Sequence, residues 1–111
     1  FKQNTDDVRM SPAIDLCHRL QKEGASLRVY DPQAMEKAKS VLKDVTYVHD
    51  MNEVAEGCDA LVVATEWPAF KKFDLERARK SMTHPIMFDG RNLFDPVEME
   101  RLGFIYKSIG R

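Results

Sequence analysis

The sequence contains no Gly-x-Gly-x-x-Gly turn and no Gly-x-x-x-x-Gly-Lys-Ser/Thr loop, so neither the dinucleotide fingerprint nor a P-loop is encoded. Its apolar runs fall far short of the roughly 18 residues that a membrane helix needs, and no membrane role is expected. Cysteine is scarce: Cys17 and Cys58 stand alone. Neither shows the neighbouring base and exposed position of a nucleophile, so both are expected to be reduced core thiols of a cytoplasmic protein. His18, His49 and His84 share no ligand spacing with each other or with the cysteines, and no metal site is expected. Charge of one sign is not in excess either. There are 17 basic and 18 acidic residues, a formal net charge of -1, which argues against a nucleic-acid surface. The first residues are polar and lack Met. The expectation is therefore a piece of a longer protein, with no signal peptide.

What is present fits one soluble domain of modest core: 111 residues, 43% hydrophobic and 32% charged. Ser11 is placed to cap a helix, and Pro12 suits its first position, where no N–H is needed. Ala13, Leu16, Cys17 and Leu20 follow the i, i+3, i+4, i+7 spacing of an amphipathic helix, which Gly24 ends. Residues 27–30 read as a strand, Asp31-Pro32 as the start of a second helix, and residues 45–48 as an outer strand. Asp50 or Asn52 caps a short helix that stops at Gly57. The run ALVVA at 60–64 is apolar throughout, which predicts a strand buried on both faces in the middle of a parallel sheet. Residues 85–88 read as another buried strand. Asp74 and Asp95 each cap a helix, Gly103 ends the latter, and residues 104–106 close the sheet.

This alternation of about five strands with about five helices gives the fold class α/β: a three-layer αβα, Rossmann-like open parallel sheet. Its first strand is truncated, since residues 1–2 would be that strand's last. A doubly wound sheet places it centrally, beside residues 27–30 and 60–64. Its place is expected to be filled by a partner chain or by residues outside the sequence, or else closed up.

Two cations follow predicted strands, Lys2 and Arg91, and so belong to the carboxyl edge, where open α/β sheets hold ligands. A Lys point charge and an Arg fork together suit a diphosphate. The alternative is a pair of surface cations, with Arg91 in an ion pair with Asp89. Gly90 would let the backbone turn or approach closely. Arg9 precedes the first helix and could pair with Asp6 or Asp7, themselves suited to Asx turns. Trp67 either shapes a cleft or packs over the sheet edge, packing being the commoner role. Asp31 stands where a dinucleotide fold puts a ribose-binding acid, but without the glycine fingerprint it reads as a helix cap.

Four stretches in order carry a resemblance: FKQNTDDVRMSP at 1–12, TEWPAF at 65–70, FDGRN at 88–92 and GFIYKSIGR at 103–111. Together they resemble the C-terminal UDP-binding domain of the UDP-glucose 6-dehydrogenase (UDP-glucose/GDP-mannose dehydrogenase) family, over essentially all of residues 1–111. The resemblance implies that Phe1, Lys2 and Arg91 contact the UDP-sugar. It implies that Arg9 reaches an NAD held mainly by an N-terminal domain, and that catalytic residues lie in the N-terminal and middle domains. The whole enzyme, cytoplasmic and homo-oligomeric, would oxidise UDP-glucose to UDP-glucuronate with two NAD reduced, and this chain alone would be inactive. The alternatives are the same domain of a UDP-N-acetylmannosamine or GDP-mannose dehydrogenase, or a stand-alone nucleotide-binding or assembly module.

Overall fold

The computed structural model describes residues 11–110, so Phe1, Lys2 and Arg9 lie outside the described residues. The chain divides into two compact units, residues 1–54 and 55–111.

The first unit begins with helix α1, Pro12–Lys22. The Ser11 hydroxyl accepts from the N–H of Ala13 at 3.1 Å, and Pro12 occupies the first helical position, as the sequence predicts. At the other end Gly24 takes φ 95°. Its N–H donates to the Gln21 carbonyl, and the Ala25 N–H reaches back to Leu20 at 3.0 Å. This pair of bonds satisfies carbonyls that helix termination would otherwise strand, and only glycine adopts the left-handed turn cheaply.

Strands β1, Arg28–Val29, and β2, Thr46–Tyr47, pair in parallel. Between them lies helix α2, Met35–Ala38, one turn long. The sequence expects Asp31-Pro32 to open this helix, but it begins only at Met35, with Ala34 at its N-cap. The buried Asp31 Oδ1 instead fixes the turn before it, accepting from the N–H groups of Gln33 and Ala34, both at 2.9 Å. Ala34, Ala38 and Leu42 are buried from this segment. His18 Nε2 donates to the Val41 carbonyl at 2.8 Å and Gln21 Nε2 to that of Lys43 at 2.6 Å, tying α1 to the turn after α2. Asp50 caps only a short 3-10 turn, Met51–Glu53, rather than the expected α-helix.

The second unit holds a parallel sheet in the order β3-β4-β5: Leu61–Val63, Ile86–Asp89 and Ile105–Ser108. Helices α3, Leu75–Ser81, and α4, Pro96–Arg101, form the crossovers. Asp74 Oδ1 accepts from Arg77 N–H at 3.0 Å, and Asp95 Oδ2 from Glu98 N–H at 3.2 Å. Replacing Asp95 with Ala is expected to cost about 1 kcal/mol, the usual worth of such a cap, read as a lowered unfolding midpoint. Gly103, at φ 94°, repeats the arrangement seen after α1. Its N–H donates to Glu100, and that of Phe104 to Met99.

One face of this sheet carries the core. Met87 of β4 packs with Ala55, Ala78, Met82, Met99 and Phe104 in a buried cluster. The other face corrects the sequence reading. Val62 is 41% exposed and Phe88 48%, so β3 and β4 are not buried on both sides. Nor is β3 the middle strand of this sheet, where β4 lies between β3 and β5. The α/β class, with parallel strands and flanking helices, is as expected, but the described strands fall into two sheets rather than one.

Candidate functional site

The carboxyl edge of the second unit's sheet is where a site should lie. The last register pair of β3 and β4 is Val63 with Asp89, so the loops beginning at Ala64 and Gly90 leave the sheet side by side. The Gly90 N–H donates to the Val63 carbonyl at 2.9 Å. A Cβ on residue 90 would stand 3.1 Å from that same oxygen. Glycine is used here for close approach rather than for a left-handed turn.

Asp89 organises the loop that leaves β4. It is 1% exposed, and one oxygen, Oδ2, accepts from Leu93 N–H at 2.8 Å, Phe94 N–H at 2.9 Å and the Tyr106 hydroxyl at 2.6 Å. The other oxygen accepts from Arg91 N–H at 3.0 Å. Tyr106 also lies within hydrogen-bond distance of the Phe94 carbonyl, at 3.0 Å. A buried carboxylate needs such donors to offset its desolvation. Here three of them are the loop's own backbone N–H groups and the fourth is the Tyr106 hydroxyl of β5, so the loop is wrapped around the last residue of β4. Asn92, at φ 52°, closes the far side. Its amide donates to the Ile109 carbonyl at 2.7 Å, and its Oδ1 accepts from Ile109 N–H at 2.9 Å.

Arg91 projects from this fixed loop. The ion pair with Asp89 that the surface-cation alternative supposes is not formed; the Asp89 oxygens accept from backbone N–H groups and the Tyr106 hydroxyl. Instead Arg91 Nη2 meets Glu66 Oε1 at 2.6 Å, across the two loops. Both side chains are about half exposed, 48% and 47%. Sequence reasoning passed over Glu66. The signal was there: opposite charges just past two strands that turn out to be adjacent. Of the other candidates, Trp67 is 5% exposed, in keeping with packing rather than an open cleft wall.

Cys17 and Cys58 form no disulfide, and both are partly buried rather than in the core. Burial raises the Cys17 thiol above its ordinary pKa, the opposite of nucleophile activation. His84 Nδ1 sits 3.1 Å from Asp59 Oδ1 at the surface. Among the described residues no group of three His, Cys, Asp or Glu could hold a metal, and no helix is long and apolar enough to cross a membrane.

A cation on a hydrogen-bonded loop at the carboxyl edge of a parallel sheet is the kind of place where open α/β folds hold ligands. The sequence comparisons narrow the fold to a family. The UDP binding domain of the UDP-glucose/GDP-mannose dehydrogenase family matches residues 1–96. Over 112 residues the chain is 42% identical to UDP-glucose 6-dehydrogenase TuaD of Bacillus subtilis, covering 100% of this chain and 24% of that protein. It is 36% identical over 135 residues to UDP-glucose 6-dehydrogenase 1 of Arabidopsis thaliana, covering 100% of this chain and 28% of that protein. The crystal structure of NDP-N-acetyl-D-galactosaminuronic acid dehydrogenase from Methanosarcina mazei Go1 superposes with TM-score 0.81 at 31% identity, over 100% of this chain and 23% of that one. The chain thus spans about a quarter of the length of these relatives, and its match to the bacterial ones falls in their C-terminal region. It belongs to the UDP-glucose/GDP-mannose dehydrogenase family, as the UDP binding domain.

Proposed function

We propose that residues 1–111 form the domain that grips the UDP part of UDP-glucose in an NAD-dependent UDP-glucose 6-dehydrogenase. The observation that carries this reading is Arg91, held by the Asp89 loop at the strand ends with its guanidinium at the surface. A planar fork there suits a phosphate, which it can bind through two parallel N–H bonds. Phe1 and Lys2 are assigned to the same ligand, and Arg9 to the cofactor. Relatives more than 40% identical bear the name UDP-glucose 6-dehydrogenase, which favours UDP-glucose over other nucleotide sugars.

NAD does not fit the described residues: no glycine fingerprint precedes a helix, and the Asp31 carboxylate is buried and bonded to the turn before α2. The cofactor and the catalytic groups are therefore assigned to other domains of a longer, oligomeric protein, and no reaction step is routed through this chain. Its contribution is positional. Fixing the diphosphate fixes the sugar, and a held geometry is itself a large rate factor.

In the full-length protein, Arg91→Ala is expected to raise KM for UDP-glucose and weaken UDP binding about 30-fold, as loss of a charge-assisted pair implies. Lys2→Ala should act in the same direction. The isolated chain should form no NADH from UDP-glucose and NAD. Unchanged UDP affinity in Arg91→Ala would reject the site.

A further inference from the structure

The Arg91 guanidinium that the proposed function assigns to the diphosphate already has a carboxylate on it. We propose that Glu66 is the resting counter-ion of Arg91, which a ligand phosphate replaces, and that its charge limits how tightly the site takes anions. This rests on Arg91 being the phosphate-binding group.

Glu66 and Arg91 stand on the loops after β3 and β4, whose bases are locked by the Val63–Asp89 register and by the Gly90 N–H bond to Val63. Asp89 holds the Arg91 backbone at 3.0 Å. The pair is therefore built between two fixed anchor points, and its Nη2–Oε1 distance is 2.6 Å. Both partners are half exposed, and an ion pair in that setting is weak because water and salt screen it. A phosphate presents two coplanar oxygens to the guanidinium fork and carries at least as much charge. Exchange of Glu66 for phosphate is thus favourable. The released carboxylate stays on its neighbouring loop, and its repulsion opposes every anion that binds. Without ligand the pair is neutral overall, so stray small anions find little field to draw them.

Glu66→Gln separates charge from shape. Glutamine keeps an acceptor oxygen at the same reach, so Arg91 stays oriented while the negative charge is gone. Calorimetry on the full-length protein with UDP is expected to show about three- to tenfold tighter binding in Glu66→Gln at low salt, the range for one exposed charge pair. The gain should shrink at high salt. It should vanish in the Glu66→Gln, Arg91→Ala double variant, since the two effects act through one contact. Equal or weaker UDP affinity in Glu66→Gln, with Arg91→Ala still impaired, overturns this proposal and leaves the UDP site standing. A gain that survives in the double variant also overturns it. If Arg91→Ala alone binds UDP normally, the underlying site reading fails instead.

Discussion

Asp89→Asn is expected to speed hydrogen exchange at the Leu93 and Phe94 amides about a hundredfold in the full-length protein, an opening of the loop by about 3 kcal/mol. The substitution is nearly isosteric, so packing does not decide it. The wild-type Oδ2 accepts two backbone N–H groups and the Tyr106 hydroxyl, and the amide oxygen of asparagine can take that place. Its NH2 must then face the Arg91 N–H, which the wild-type Oδ1 accepts. One donor is left facing another donor in a buried site, and the remaining bonds lose their charge assistance. Because Arg91 leaves the sheet through this loop, UDP affinity should fall as well. Tyr106→Phe removes a single hydroxyl and should do less. Exchange rates indistinguishable from wild type would show that Asp89 does not hold the loop.

The second large effect is a contrast within one strand. Met87→Ala is expected to destabilise the second unit by about 3 kcal/mol, whereas Phe88→Ala should cost under about 1 kcal/mol, read from urea unfolding midpoints. Met87 has no exposed surface and sits in the cluster with Ala78 and Met99, so truncation leaves a void among groups fixed by two helices. Phe88 points to the opposite face and is about half exposed. Met87→Leu, which conserves volume, should recover most of the loss. Equal costs at residues 87 and 88 would contradict the burial pattern of β4.

Helix boundaries were legible in the sequence because their chemistry is local. Ser11-Pro12, Asp74, Asp95-Pro96, Gly24 and Gly103 act within a few residues of themselves, and each ends or starts the helix it was assigned. Strand burial was not legible. ALVVA and PIMF are apolar at every position, so alternation cannot reveal which face is covered, and Val62 and Phe88 were misread. The site was legible in part. Arg91 stands out as a cation past a strand, but the one protein partner the sequence offers for it, in the alternative reading, is Asp89, its near neighbour. Glu66 lies 25 residues away, and only the pairing of β3 with β4 brings it near. The burial of Asp89, likewise, is created by Tyr106 and the returning loop, neither of which its local sequence announces.

The parallel order β3-β4-β5 has a consequence for how the second unit assembles. Leu61 meets Met87 and Ile86 meets Ile105, separations of 26 and 19 residues, and no tight hairpin is available to seed either ladder. Every rung requires a long segment of chain to close on itself before any bond repays that lost freedom. The rate-limiting search in this half of the polypeptide is therefore set by topology, and it should be slow for so short a stretch.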